Sequence, residues 1–147
     1  MFDFLKNLVG EQSPVERTKI DDRVALAALL VEAALQDDAY EPAEKVAIER
    51  VLTAEFGLDS DASKALRQKA ETAQADSVGI FRFTKAIKDA RPFEERVAVI
   101  ERLWEIALAD AERDPNEDAL IRKVCGLIGV SDQDSGLARQ RVQARVS

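Results

Sequence analysis

Two short segments of this chain contain closely spaced acidic residues that could bind a cation or cap a helix. Residues 34–44 read ALQDDAYEPAE and residues 107–117 read ALADAERDPNE. Both share the frame Ala-Leu-x-Asp-x-x-x-acid-Pro-x-Glu, and the two copies lie 73 positions apart. Carboxylates are the ligands that hard cations such as Ca²⁺ and Mg²⁺ prefer, and they are also ordinary caps at the start of a helix. The first question is which of these two roles each acid fills.

Helix capping accounts for the acids that flank the prolines. Asp114 is a suitable N-cap, Pro115 fits the first helical position, and Glu117 completes a capping box three residues after the cap. Glu41 and Glu44 occupy the same places in the first segment, although glutamate caps a helix less well than aspartate. These acids need no ligand to explain them.

Capping does not explain Asp37 and Asp110. Both are predicted to lie at the C-terminal end of a helix, where the helix macrodipole disfavours a negative charge. Glu32 and Glu105 lie about one and a half turns earlier on the same helices. An acid placed twice at a disfavoured helix end indicates a nearby cation, so we expect two related, weak sites for Ca²⁺ or a similar cation, one in each segment.

The second segment does not have the pattern of an EF-hand. Asp110, Glu112 and Asp114 do fall at positions 1, 3 and 5 of such a loop. However, Pro115 stands at position 6, where the turn requires glycine, and Ile121 stands at position 12, where a bidentate glutamate is required. A different oxygen-ligand site for Ca²⁺ or Mg²⁺ stays open, because carboxylates are the plentiful ligands in this chain.

The composition restricts the other function classes. A length of 147 residues with 46% hydrophobic and 33% charged residues suits one soluble globular domain. The absence of histidine excludes a His-based catalytic triad and a Cys/His zinc site. A net charge of -7 opposes binding to nucleic acid and favours cations or basic partner surfaces. Without a membrane-spanning apolar run or a signal peptide, we expect a cytoplasmic protein.

The apolar spacing predicts an all-α single domain of about eight helices without a strand. An N-terminal helix and linker are expected at residues 1–15, a first hairpin at 16–56, connecting helices at 57–91, a second hairpin at 92–128 and a last helix at 129–147. Residues 23–51 laid over 96–124 without gaps give 12 identities in 29 positions, so the two hairpins are one structural unit used twice. We expect them to pack against each other in a single bundle.

The repeated acidic frame resembles the TerB family of tellurite-resistance proteins and its TerB-like relatives. FRFTKAIKDA before the second copy and GLIGVS after it strengthen the resemblance, which extends over nearly the whole chain from about Ile20 onward. It implies an all-helical fold of paired hairpins with an acidic cluster that binds divalent metal. One departure is that the family usually has Asp-Gly in this corner, whereas Asp38 and Ala111 stand at the second position here.

The resemblance implies metal ligands by position: Asp37, Glu44, Asp110 and Glu117. The weaker candidates are the remaining acids of the two segments and their helices: Glu41, Glu112, Asp114, Glu32 and Glu105. The expected function is a non-enzymatic acidic module that binds a Ca²⁺-like divalent cation and a protein partner, including one held at a membrane, in a tellurite or stress response. The alternative is a metal-free interaction scaffold whose acids are caps and surface. A hydrolase with paired carboxylates ranks third, because it needs a pocket and unequal pKa values.

The remaining conspicuous residues have structural interpretations. We interpret Cys125, Trp104 and Phe81 as core residues, with the border of a partner groove as the alternative for Trp104 and Phe81. Three arginines near the C-terminus are interpreted as partners of a helix dipole rather than phosphate ligands: Arg139, Arg141 and Arg145. The predicted helix at the N-terminus is expected to pack on the bundle rather than lie on a membrane.

Overall fold

The computed structural model describes residues 20–36, 39–109 and 115–146. Within these ranges the chain forms seven helices and no strand, which confirms the all-α prediction. The helices are α1 Asp22–Leu35, α2 Pro42–Phe56, α3 Ser60–Asp76, α4 Phe81–Ala90, α5 Phe93–Ala107, α6 Pro115–Ile128 and α7 Asp132–Val146. The predicted N-terminal helix and four of the candidate acids lie outside the described residues: Asp37, Asp110, Glu112 and Asp114.

Helix α1 lies at the centre of the bundle. Residues 24–31 are all buried, and Ala33 and Ala34 extend the buried run. Helix α1 packs against α2, α3, α4, α5 and α6, and its many alanines allow these neighbours to approach closely. A helix that is apolar all round is stable only when other elements cover it. None of the described helices has the length and hydropathy required to cross a membrane.

Side chains and a glycine set several helix ends. Helix α1 begins after Asp21, whose carboxylate accepts the backbone amide of Arg23 at 2.7 Å. The first described helix of the hairpin predicted over 16–56 therefore starts at Asp22. The Asp59 carboxylate caps α3 by accepting an amide of its first turn at 2.8 Å. Helix α2 ends at Gly57, whose φ of 65° is the left-handed conformation that favours glycine.

The two hairpins repeat the same pattern of boundaries and burial. Helix α2 begins at Pro42 and α6 begins at Pro115, 73 positions apart. Equivalent apolar residues are buried in both copies: Leu30 and Leu103, Ala34 and Ala107, Ile48 and Ile121, Val51 and Val124. Helix α5 packs against both α1 and α2, so the two hairpins share one core.

The core interpretation holds for Cys125 and Trp104 but is wrong for Phe81. The Cys125 side chain is buried, and the buried Trp104 indole donates from Nε1 to Ser135 Oγ at 3.0 Å. Phe81 is 63% exposed at the start of α4. The buried face of α4 carries Phe83 and Ile87, and a residue two positions before Phe83 lies toward the opposite side of the helix.

The central position of α1 can be tested by truncating one of its leucines. Leu30→Ala should lower the free energy of unfolding by about 2–5 kcal/mol, because it removes buried methyl groups and leaves a cavity. The matched control is Leu137→Ala, since Leu137 is 44% exposed. That control should cost less than about 1 kcal/mol because much of its side chain stays in water. Urea denaturation followed by far-UV circular dichroism measures both variants, and equal losses would contradict the assignment.

Candidate functional site

A cavity of about 250 Å³ lies between the start of α2, the end of α5 and the start of α6. We call it the carboxylate cavity, because three glutamates line it: Glu41, Glu44 and Glu117. The other described residues of its wall are apolar: Ala43, Ala47, Ile106 and Ala109. Glu44 and Glu117 occupy equivalent positions in the two repeats. The fold therefore brings equivalent acids of the two hairpins to the same cavity.

The two equivalent glutamates have different surroundings. Glu44 Oε1 accepts the backbone amide of Glu41 at 3.1 Å, which confirms the capping role predicted for the first segment. Glu117 is only 4% exposed, whereas Glu44 is half-buried. Burying a carboxylate is costly unless hydrogen bonds or a cation compensate for the lost water. The two copies are therefore related in sequence but not identical in environment.

The described acids do not by themselves form a complete metal site. Among the described residues, no group of three or more acidic or cysteine side chains is arranged to hold a metal ion. Four of the acids predicted as ligands lie outside the described ranges: Asp37, Asp110, Glu112 and Asp114. Asp110 directly follows Ala109, a residue of the cavity wall. The donors in this region are oxygen atoms, which suit a hard divalent cation rather than a soft one.

The weaker candidates on α1 and α5 bind partners within the protein. Glu32 accepts a hydrogen bond from Gln74 of α3 at 3.2 Å. Glu105 pairs with Arg102 and Arg145 at 3.0 and 2.8 Å. Neither glutamate belongs to the wall of the carboxylate cavity. The structure thus separates Glu32 and Glu105 from the three glutamates that meet there.

A chain of alternating charges links two of the helices that frame the cavity, α2 and α5, to α1 and α7. Each member pairs with the next in this order: Asp22, Arg91, Glu55, Arg102, Glu105, Arg145, Glu101 and Arg141. The N–O distances of these pairs lie between 2.7 and 3.3 Å. It connects α1, α2, α5 and α7 with Arg91, which lies between α4 and α5. The interpretation of Arg141 and Arg145 as helix-dipole partners missed these pairs, because their acids lie 40 or more residues away in sequence.

A second polar network fixes the first acidic corner to α3. The hydroxyl of Tyr40, the residue before Glu41, donates to the Glu71 carboxylate. The buried Arg67 pairs with both Glu71 and Glu49. Burial and the neighbouring Glu71 carboxylate raise the pKa of Tyr40 above its ordinary value, so the hydroxyl keeps its proton and stays a donor. The sequence contains one sign of this network, the spacing of Arg67 and Glu71 on one helix face.

A comparison with protein families matches residues 23–140 to the family described as tellurite resistance protein TerB. The match covers most of the chain, which therefore belongs to the TerB family, as the repeated acidic frame predicts. Comparisons with curated proteins and with solved structures give no significant match.

The charge chain predicts a specific loss of stability in acid. Burial alone would raise the pKa of Glu101, but the hydrogen bonds from Arg145 and Arg141 outweigh it and hold this pKa below its usual value. A carboxyl whose folded-state pKa is depressed stabilises the fold above its unfolded-state pKa of about 4.3. That stabilisation is lost as the pH falls through the folded-state pKa.

We therefore expect Glu101→Gln to lower the melting temperature at about pH 7, and the deficit to shrink as the pH falls to about 3. Thermal unfolding across this pH range measures the deficit. Glu94→Gln, which removes an exposed acid from the first turn of α5, is the matched control. A deficit of the same size at both pH values would contradict the role of the arginines.

Proposed function

We propose that this TerB-family protein is a non-enzymatic binding module in a tellurite or stress response. It binds a Ca²⁺-like divalent cation at the carboxylate cavity and presents this region to a protein partner. The observation that carries the proposal is the meeting of Glu44 and Glu117 at one cavity. The sequence suggests one weak site at each corner, whereas the shared cavity favours a single site to which both corners contribute.

The electrostatics of the cavity favour a cation. Glutamates that line the same small cavity repel one another, and partial burial strengthens the repulsion because the local dielectric is lower than that of water. A divalent cation converts this repulsion into attraction. Ca²⁺ takes roughly six to eight oxygen ligands in flexible geometry, so the glutamates require further donors. We propose that Asp37 and Asp110 supply them together with water.

A binding role is favoured over catalysis, because the chain has no histidine and its one cysteine is buried. There is no histidine to act as a general base. Burial raises the pKa of the Cys125 thiol, which keeps it protonated and unsuited to nucleophilic attack. The carboxylate cavity offers only glutamates and apolar side chains among its described wall residues.

The proposed protein partner would meet an acidic surface. The net charge of -7 favours a partner with a basic face. Cation binding would reduce the negative charge of this region and so change its attraction for a basic partner.

The metal-free scaffold is the second candidate, and specific contacts favour it. Glu44 already caps α2, and Glu105 is already neutralised by two arginines. In this alternative, the glutamates at the cavity only cap helices and form part of the surface that a partner binds. Metal dependence of the stability separates the two functions.

The metal function predicts a stability gain from Ca²⁺ in chelator-treated protein. A cation at about 100 times its dissociation constant should stabilise the fold by roughly 2.7 kcal/mol, because the unfolded chain lacks the assembled site. The double variant Glu44→Gln, Glu117→Gln should lose this gain, and so should Asp37→Asn, Asp110→Asn. Thermal unfolding at constant ionic strength, with and without millimolar Ca²⁺, measures the difference.

The matched control for this experiment is Glu94→Gln, Glu95→Gln. It removes the same charge from the exposed first turn of α5 and should keep the full gain. If Ca²⁺, Mg²⁺ and Mn²⁺ all leave the melting temperature of the wild-type protein unchanged, the metal function fails and the scaffold replaces it.

A further inference from the structure

A second cavity, of about 220 Å³, lies between α6, α7 and the indole of Trp104. We call it the arginine cavity, because Arg122 of α6 and Arg139 of α7 both line it. Its other wall residues are Asp118, Ile121, Asp132, Ser135 and Gly136. Among the residues that the structure describes, it shares no wall residue with the carboxylate cavity, and the function proposed above does not use it.

The two arginines differ from those of the charge chain. Arg141 and Arg145 bind glutamates of α5, whereas neither Arg122 nor Arg139 forms an ion pair with another described residue. The Arg139 guanidinium lies 5.6 Å from the centroid of the Trp104 ring. Its Nε atom is buried and has no hydrogen-bond partner among the described residues.

The position of Arg139 favours ligand binding. Contact with the face of a buried indole holds the guanidinium in place, so little side-chain entropy is lost when a ligand binds. Arg122 of α6 is exposed and also lines the cavity, where it supplies a second set of planar donors. Guanidinium groups match the geometry of carboxylate and phosphate oxygens.

Two acids of the same wall limit which anion fits. Asp118 and Asp132 balance the charges of Arg122 and Arg139, so the described wall carries no net charge. Asp132 lies in the first turn of α7, where the helix macrodipole favours a negative charge. With the whole chain at a net charge of -7, a polyanion would be repelled. A small anion that reaches both guanidiniums avoids this repulsion.

We propose that the arginine cavity binds a small oxyanion, a phosphate or carboxylate group held between Arg122 and Arg139. Trp104 forms the floor beneath Arg139 and is the only tryptophan of the chain, so its emission reports on this cavity. A bound anion changes the charge beside the indole ring and should therefore shift its fluorescence.

The test titrates the full chain with sodium phosphate, sodium acetate or sodium chloride at matched ionic strength. A chelator is present throughout, so that a cation at the carboxylate cavity does not contribute. We expect a saturable change in Trp104 emission with phosphate, with acetate or with both, and none with chloride. The oxyanion that gives the tighter response identifies which of the two chemistries the cavity prefers.

Arg122→Gln should weaken this response at least tenfold, and its exposed position leaves the core intact. Arg139→Gln should weaken it similarly, with calorimetry as a second readout because this variant also removes the group above the indole. The matched control is Arg50→Gln, which removes an exposed arginine of α2 outside this cavity and should bind like wild type. An equal response to chloride, or an unchanged response in Arg122→Gln, would overturn the proposal.

Discussion

The burial of α1 on every side is the constraint on which the rest of the structure depends. A helix with residues 24–31 all buried requires neighbours around its whole circumference. Helices α3 and α4 cover the sides that α2, α5 and α6 leave open. Once α5 and α6 pack on the same central helix as α2, the first turns of α2 and α6 lie close together. The meeting of Glu44 and Glu117 at one cavity follows from this packing.

Ion pairs at the margin of the core then hold the elements next to the acidic corners. Tyr40, Glu71 and Arg67 attach the first corner to α3. Near the second corner, the pair between Glu105 and Arg145 attaches the end of α5 to α7. Each exposed pair stabilises the fold little, but Arg67 and Arg91 are buried, and removing their partners would leave a charge away from water. The networks therefore position the corners more than they stabilise the fold.

Local patterns made much of the fold predictable from the sequence, whereas long-range partners were not predictable. The caps, the glycine that ends α2 and the hairpin repeat depend on residues a few positions apart, so they are visible in sequence. The exposure of Phe81 depends on which face of α4 meets α1, and one of the two partners of Glu105, Arg145, lies 40 residues away. The sequence identified Glu44 and Glu117 separately. Their common cavity depends on tertiary packing, which no local spacing encodes.

Calorimetric titration of chelator-treated protein with Ca²⁺ tests the shared site most directly, because it counts the cations bound by each chain. We expect a stoichiometry of one, and we expect Glu44→Gln and Glu117→Gln each to abolish the binding, since both hairpins contribute to one site. Two independent sites, each lost only with the glutamate of its own hairpin, would contradict the shared cavity. An absence of binding heat at millimolar Ca²⁺ would contradict the metal function itself.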